Sequence, residues 1–242
     1  MENRELLVVG ASSDFGLALL QKVKADYDKI YIHYHNWNEH LQRIKEEMGE
    51  RLYCYQADLS NEMETTRMLD EMEEDHASPC HILHFPSKRC AQDRFSRLTW
   101  GEYQERMNIS LRSLFLTLQK FLPCMAKNRE GKVVVMASAY TVNIPPKFIN
   151  AYLCEKYALI GMVKGIAVEY AAKGIQINAV SPEMTRTKFL HDLPDFFIEQ
   201  NESQLPRKRI LSIQEVIPLV VFLLSQGSDG ITGENFVITG GK

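Results

Sequence analysis

Short apolar segments alternate with helix-length amphipathic segments along the chain, and this alternation limits the possible folds more than any other feature. The short segments predict seven strands, at residues 6–9, 29–34, 51–56, 81–85, 132–136, 176–180 and 235–238. The segments between them predict six helices, at residues 16–26, 38–48, 62–75, 100–126, 151–172 and 213–224. Repeated βαβ units of this kind build a parallel sheet covered by helices. We therefore expect residues 1–242 to form one α/β domain, a doubly wound parallel seven-stranded sheet with helices on both faces.

The longest irregular stretch, residues 183–210, lies between the last two predicted strands. It contains Pro194 and Pro206 and too few periodic apolar positions for a central core helix. At the carboxyl edge of a sheet such a segment is typical of a substrate lid, and a plain surface excursion is the alternative. Its apolar residues would cover a hydrophobic substrate or pack on a neighbouring subunit, and its basic residues would meet an acidic carrier or a phosphate, or remain solvated. These residues are Phe189, Leu190, Leu193, Phe196 and Phe197, and Lys188, Arg207, Lys208 and Arg209.

Charge and cysteine content exclude several classes of function. A net charge of −3 gives no general attraction to nucleic acid or to an anionic membrane. The first apolar run, residues 6–9, is too short for a signal-peptide core or a membrane span, which predicts a cytoplasmic location. The cysteines are odd in number and form no Cys-x-x-Cys pair, so neither a disulfide framework nor a zinc site is indicated: Cys54, Cys80, Cys90, Cys124 and Cys154. We therefore expect small-molecule partners and no metal.

A glycine-containing turn follows the first predicted strand and leads into the first predicted helix. Its sequence is Gly10-Ala11-Ser12-Ser13-Asp14-Phe15-Gly16. A strand, a glycine turn and a helix N-terminus together present unpaired N–H groups and the positive end of a helix dipole, which can hold a pyrophosphate. Gly10 would permit the tight turn, Gly16 would permit close helix packing, and Ser12 and Ser13 would add hydroxyl contacts. A turn without a ligand is the alternative.

Two further segments predict which dinucleotide this turn would hold. Asp58, followed by Leu59 after the third strand, can accept from an adenine amino group, although an N-cap role for the next helix is the alternative. The second strand ends in His33-Tyr34-His35-Asn36-Trp37-Asn38 without an acid that would repel a 2′-phosphate. We expect NADP(H) to be favoured over NAD(H), with His35, Asn36 and Asn38 near the 2′-phosphate, although no Arg or Lys secures the preference.

A second group of polar residues points to proton transfer. The four-residue spacing of Tyr152 and Lys156 places both on one face of a predicted helix. A free phenol has a pKa of about 10 and a neighbouring ammonium favours its phenolate, which makes such a tyrosine a usable acid and base. Ser138, just after the fifth strand, would bond the substrate oxygen, and Asn108 would anchor a water linked to Lys156. Each residue alone has an ordinary structural explanation, and the full set in this order is specific.

In combination these motifs resemble the short-chain dehydrogenase/reductase family over residues 5–241, most of all its 3-oxoacyl-acyl-carrier-protein reductases. The resemblance implies a Rossmann fold and hydride transfer between NADP(H) and a carbonyl or alcohol carbon of a small or carrier-bound substrate. It assigns Gly10 to Gly16 to the glycine motif, Asp58 to the adenine, and Asn108, Ser138, Tyr152 and Lys156 to catalysis. Pro182, in Asn178-Ala179-Val180-Ser181-Pro182, and Thr187 fall on the nicotinamide side, and Ile231-Thr232-Gly233 and Thr239-Gly240-Gly241 match the family's closing segments.

The resemblance also implies a homodimer or homotetramer, paired through the long helices at residues 100–126 and 151–172. These helices carry more apolar residues than one core-facing stripe needs, including Leu114, Phe115, Leu118, Phe121 and Leu122. A closed symmetric assembly is the natural result.

Three positions depart from the family pattern on cofactor-facing loops: Asp14, the segment His84-Phe85-Pro86-Ser87, and Glu183. We expect Asp14 to cap the first helix, Pro86 to stiffen its loop, and Glu183 to add bulk and charge beside the nicotinamide. Weaker or unusual cofactor binding without loss of chemistry is the expected result. The alternatives are an NAD-dependent alcohol or sugar dehydrogenase and a non-catalytic dinucleotide-binding regulator.

Overall fold

The chain folds around one seven-stranded parallel sheet. The structure, a computed structural model, describes residues 4–89, 93–190 and 195–241. The strands are β1 (Glu5–Val9), β2 (Lys29–Tyr34), β3 (Leu52–Gln56), β4 (His81–His84), β5 (Gly131–Met136), β6 (Ile175–Pro182) and β7 (Asn235–Ile238). Their order is β3-β2-β1-β4-β5-β6-β7 and every pairing is parallel. The chain therefore reverses its direction of winding between β1 and β4, where such sheets open a crevice at their carboxyl edge.

Helices cover both faces of the sheet. They are α1 (Asp14–Val23), α2 (Glu39–Met48), α3 (Glu62–Glu74), α4 (Trp100–Met107), α5 (Ser113–Asn128), α6 (Asn150–Tyr170), α7 (Asp195–Gln204) and α8 (Ile213–Leu223). Successive strand residues point to opposite faces, so Leu6 and Val8 of β1 pack with α1, α2 and α8. Leu7 and Val9 pack with α3, α5 and α6. This arrangement confirms the predicted doubly wound α/β fold.

The helix predicted at residues 100–126 is interrupted. A π-helical turn, Asn108–Arg112, separates α4 from α5. Three hydroxyls bond to carbonyls of the preceding turn: Ser110 Oγ to Arg106 O at 2.9 Å, Ser113 Oγ to Ile109 O at 2.6 Å and Thr117 Oγ1 to Ser113 O at 2.7 Å. Such bonds bend helices, and π turns are frequent at functional sites. The interruption decides which residues of this region face the site.

The segment at residues 183–210 contains one helix, α7, that the sequence did not predict. Five of its described apolar residues form a cluster separate from the central core: Met184, Leu190, Ile198, Leu205 and Ile210. Phe196 is exposed, and the side chains of Phe189 and Phe197 lie outside the described part of the structure. Two of the four predicted basic residues are paired with an acid, because Arg207 and Arg209 both bind Glu215 of α8 at 2.7 Å. Leu193 and Pro194 lie outside the described residues. The segment is thus tied to α8 by charge and stabilised by its own small core.

The surplus of apolar residues predicted on α5 is smaller than the sequence indicates. Leu114, Leu118, Phe121 and Leu122 are all buried in the core of the single chain, and of the five predicted residues Phe115 is exposed.

Among the described helices none is long and apolar enough to cross a membrane. The same residues contain no cluster of His, Cys, Asp and Glu that could hold a metal ion. Cys54, Cys80, Cys124 and Cys154 are free thiols, and Cys90 lies outside the described residues.

Candidate active site

A cavity of about 610 Å³ lies at the carboxyl edge of the sheet and receives residues from the loops after β1 to β6. Thirteen of the fourteen predicted cofactor residues line it: Gly10, Ser12, Ser13, Asp14, Phe15, His35, Asn36, Asp58, Leu59, Tyr152, Lys156, Pro182 and Thr187. Gly16 is the exception. The volume of the cavity is within the range of small-molecule sites. The cavity therefore brings the predicted cofactor residues together.

The turn after β1 needs both of its glycines. Gly10 has a φ of +82°, and a Cβ there would lie 3.2 Å from Pro86. A Cβ on Gly16 would lie 2.7 Å from the backbone of Ala11, so Gly16 serves the packing of α1 against the turn. Ser13 caps α1, because its Oγ accepts from the Gly16 N–H at 3.1 Å and donates to the Gly10 carbonyl at 2.7 Å. The N-terminal turn of α1 thus faces the cavity.

Asp14 has a different partner from the one expected. Its carboxylate accepts the backbone N–H of Lys188 at 2.5 Å instead of capping α1. Because Ser13 already caps the helix, the Asp14 side chain can turn toward the segment that follows β6. The glycine turn and this segment are therefore joined by a charge-assisted hydrogen bond across the mouth of the cavity.

His33 organises the adenosine side of the cavity, and sequence reasoning gave it no role. Its Nδ1 accepts the Gly10 N–H at 3.1 Å and its Nε2 donates to the Ala57 carbonyl at 3.1 Å. Burial lowers the pKa of His33 to about 4, so the ring is neutral near pH 7 and can accept at one nitrogen while it donates at the other. One imidazole thus connects the ends of β1, β2 and β3.

The two predicted recognition segments lie near His33. His35 and Asn36 are exposed and line the cavity, whereas Asn38 caps α2 by accepting the Leu41 N–H at 3.0 Å. Asn61, not Asp58, caps α3. Burial opposes the charge on Asp58, yet its hydrogen bonds from Ser60 hold the pKa of this carboxyl below its usual range. Asp58 is therefore an ionised acceptor on the cavity wall.

Three of the four predicted catalytic residues meet in the cavity. Ser138, Tyr152 and Lys156 line it, and Lys156 Nζ lies 5.5 Å from the centroid of the Tyr152 ring. Lys156 also donates to the Met136 carbonyl at 3.3 Å, which ties α6 to the end of β5. Ser138 Oγ accepts the N–H of Tyr140 at 3.3 Å, so its hydroxyl proton can be donated into the cavity.

Asn108 lies elsewhere. Its side chain donates to the Ser60 carbonyl at 3.5 Å, and the π-helical turn presents Ile109 to the cavity in its place. The predicted link from Asn108 through a water to Lys156 stays a prediction.

The two remaining departures from the family pattern also surround the cavity. Pro86 packs on Gly10, and the Phe85 ring stacks on Phe15 with centroids 6.4 Å apart. Glu183 is buried on the cavity wall, where its Oε2 accepts from Asn143 Nδ2 at 3.3 Å. Sequence reasoning missed a further acid, Glu155, which lies fully buried beside Lys156. No sequence pattern marks Glu155, since its other partners, Ser87 and Arg106, come from distant segments.

Comparison with known proteins identifies the family. A family model described as enoyl-(acyl carrier protein) reductase matches residues 10–242. This chain belongs to the short-chain dehydrogenase/reductase family. Members are NAD(P)-dependent oxidoreductases, and the chain is one of them. The predicted resemblance is confirmed.

Individual relatives agree with this assignment. The 3-oxoacyl-(acyl-carrier-protein) reductase FabG of Staphylococcus epidermidis is 25% identical over 99% of this chain and 98% of its own length. The structure of levodione reductase superposes with a TM-score of 0.87 at 25% identity, covering 98% of this chain and 96% of that chain. A 3-oxoacyl (acyl-carrier-protein) reductase from Agrobacterium tumefaciens C58, solved with NADP bound, gives 0.87 at 22% identity, over 99% and 94%. The last likeness shows the fold.

Proposed function

We propose that the chain reduces a ketone with hydride from NADPH and that Tyr152 donates the proton to the carbonyl oxygen. The observation that carries the proposal is that Ser138, Tyr152 and Lys156 line the same cavity as the glycine turn. A hydride donor and its acceptor would thus share one enclosed space in a fixed orientation. The dinucleotide would supply a hydride for the carbonyl carbon and Tyr152 a proton for its oxygen, so that the products would be an alcohol and the oxidised dinucleotide.

The residues present fit a nicotinamide dinucleotide. The first N–H groups of α1 and the positive end of its dipole suit a pyrophosphate. Gly16 keeps the turn close to the helix, because a Cβ there would lie 2.7 Å from the Ala11 backbone. Asp58 would accept from the adenine amino group, and Pro182 and Thr187 would lie on the nicotinamide side. The bound dinucleotide supplies the hydride, and the protein orients and polarises the acceptor.

The protein's own contribution is the proton and its control. Tyr152 holds the proton that the carbonyl oxygen receives, and the nearby Lys156 ammonium stabilises the phenolate that remains. Ser138 donates its hydroxyl proton to the same oxygen as negative charge develops there. Ser138 follows the end of β5 and caps a short 3-10 turn, and Tyr152 lies in the first turn of α6, so regular elements flank both donors.

We propose a preference for NADPH over NADH. His35 and Asn36 line the cavity at the end of β2, and neither carries a negative charge that would repel a 2′-phosphate. The NADP-bound state of the Agrobacterium protein supports the proposal by analogy. Because the contacts come from imidazole and amide groups instead of a guanidinium, the preference is expected to be modest.

We propose a 3-oxoacyl thioester or a similar ketone as substrate, with residues 183–210 as the lid of a single-domain enzyme. The name of the Staphylococcus relative supports a carrier-bound carbonyl compound. Met184 and Leu190 line the cavity from the lid, and Ile149 adds apolar surface beside Tyr152. The basic side chains that the sequence offered to an acidic carrier are weaker support, since Arg207 and Arg209 are paired with Glu215.

The experiment follows NADPH binding by fluorescence and NADPH oxidation with a panel of 3-oxoacyl thioesters, diketones and quinones. Tyr152→Phe should abolish turnover while NADPH affinity stays within a few-fold, because only the hydroxyl is lost. Lys156→Ala should damage both. Tyr157→Phe, an exposed tyrosine on the same helix, is the matched control and should behave like wild type.

Each other outcome has a defined meaning. A Tyr152→Phe variant that keeps most of its turnover would refute the acid–base role. Preference for NADH with oxidation of alcohols or sugars would favour the NAD-dependent dehydrogenase. Tight dinucleotide binding with no turnover on any member of the panel would favour the non-catalytic regulator.

A further inference from the structure

A buried charged network links Lys156 to the loop that follows β4. Glu155 is fully buried on α6, and its Oε1 lies 3.3 Å from Lys156 Nζ. Ser87, in the loop after β4, donates to the same oxygen at 2.7 Å. The guanidinium of Arg106, at the end of α4, lies 3.5 Å from the other carboxylate oxygen. One carboxylate therefore stands between two cations contributed by two helices.

Arg106 is held in place by the same loop. It is 6% exposed, and its guanidinium donates to the Lys88 carbonyl at 2.8 Å and to the Arg89 carbonyl at 2.5 Å. A buried cation fixed in this way cannot move into solvent when its counter-charge is lost. Buried charges are stable only when they are paired and hydrogen-bonded. Glu155 thus neutralises a charge that stays near Lys156.

The other groups around Lys156 do not replace Glu155. His84, at the end of β4, is neutral near pH 7, because burial and the charge of Lys156 lower its pKa to about 3. Tyr152 faces the ammonium with its ring, and the Met136 carbonyl of β5 accepts from it at 3.3 Å. Within the described residues, the ion pair of Lys156 is formed with Glu155.

We propose that Glu155 is a positioning residue that keeps the Lys156 ammonium charged and directed at Tyr152. The inference rests on the roles proposed above for Tyr152 and Lys156. When Glu155 is neutralised, burial and repulsion from Arg106 both favour loss of the Lys156 proton. A neutral amine gives no electrostatic support to a phenolate. The unusual loop after β4 acts on proton transfer through Ser87, which orients the carboxylate.

The test measures the proton on Lys156 directly and needs no turnover. Lysine labelled with ¹³C at Cε is incorporated, the Lys156 resonance is identified by its loss in Lys156→Arg, and its shift is followed with pH. In Glu155→Gln the resonance should titrate at least about one pH unit below wild type, a tenfold change in proton dissociation. The Gln oxygen can still accept from Ser87. Glu169→Gln, an exposed acid on the same helix, is the matched control and should titrate with wild type.

Two results would overturn the inference: a folded Glu155→Gln protein whose Lys156 titrates with wild type, or a wild-type Lys156 that is already neutral near pH 7. If the single variant does not fold, Arg106→Gln with Glu155→Gln removes both buried charges, and Lys156 should again titrate below wild type.

The turnover of ketone gives a second measurement. In the folded single variant, kcat should fall as the pH rises while wild type holds its value, with little change in KM. Since the NMR titration does not depend on reduction of any ketone, failure of the proposed function and failure of this inference are separate results.

Discussion

Acidification from about pH 7 to about pH 5 is expected to destabilise the protein through three buried histidines. Burial lowers the pKa of His33 to about 4 and the pKa values of His81 and His84 to about 3. Each ring is bonded in its neutral form. His33 Nδ1 accepts from the Gly10 N–H at 3.1 Å, His81 Nδ1 and the Tyr27 hydroxyl share a hydrogen bond of 2.6 Å, and His84 Nε2 donates to Ser113 Oγ at 2.9 Å.

The size of the effect follows from proton linkage. In the unfolded chain a histidine has a pKa of about 6.5, so between that value and its folded pKa the unfolded state binds a proton that the folded state does not. The free energy of unfolding therefore falls as the pH falls, by about 1.4 kcal/mol per pH unit for each histidine. At about pH 5 each buried histidine has lowered the free energy of unfolding by about 2 kcal/mol. The three together have lowered it by about 6 kcal/mol, which is comparable to the total stability of many domains. For His33 the loss ends near pH 4.

Urea unfolding at the two pH values, at one fixed protein concentration, measures this loss. His33→Gln keeps a side chain that can accept from Gly10 and donate to Ala57 but cannot titrate, so it should lose about 2 kcal/mol less than wild type. His40→Gln, at an exposed position of α2, should lose as much as wild type. If the free energy of unfolding fell equally in His33→Gln and in wild type, His33 would not be the neutral ring that its hydrogen bonds to Gly10 and Ala57 indicate.

Three further predictions concern the cofactor turn and the surface. Asn36→Asp should reverse or erase the preference for NADPH by repelling the 2′-phosphate; isothermal titration of both cofactors decides this, and a wild-type preference for NADH would be contrary to the assignment. Gly16→Ala should lower the free energy of unfolding by about 1–3 kcal/mol and weaken dinucleotide binding. Gly161→Ala, where an added Cβ would have nothing within 4 Å, should raise the free energy of unfolding by up to about 1 kcal/mol. Equal shifts of the melting temperature in the two variants would contradict the packing argument. Light scattering should show a dimer or tetramer that Phe115→Ser weakens, and a purely monomeric wild type at micromolar concentration would exclude it.

Most of the fold could be predicted because its signal is local. Buried parallel strands are short continuous apolar runs, and the seven predicted runs coincide with the seven strands to within two residues at either end. The π-helical turn could not be predicted, since the hydroxyl-to-carbonyl bonds of Ser110 and Ser113 that accompany it leave the apolar period of the sequence unchanged. Helix α7 escaped prediction because it has no regular apolar stripe: Ile198 packs in a small cluster separate from the central core, whereas Phe196 is exposed.

The site could be predicted where its residues follow a strand end and could not where they meet through space. Tyr152 and Lys156 are one helical turn apart, and their joint position in the cavity follows from that spacing. The pairs formed by Glu155 with Arg106 and with Ser87 join residues 49 and 68 positions apart. Asp14 finds its partner 174 positions away. Only the folded chain shows such contacts.

The all-parallel sheet separates the parts of the chain that are fixed by packing from the parts that can diverge. β4 keeps its register with both neighbours, His84 opposite Val9 and Val135, although the loop that follows it departs from its family. Every loop that lines the cavity leaves the same edge. Replacement of one loop can therefore alter substrate recognition and reactivity while the packing of the core stays the same. Descendants of such a chain can acquire different substrates and inherit one scaffold.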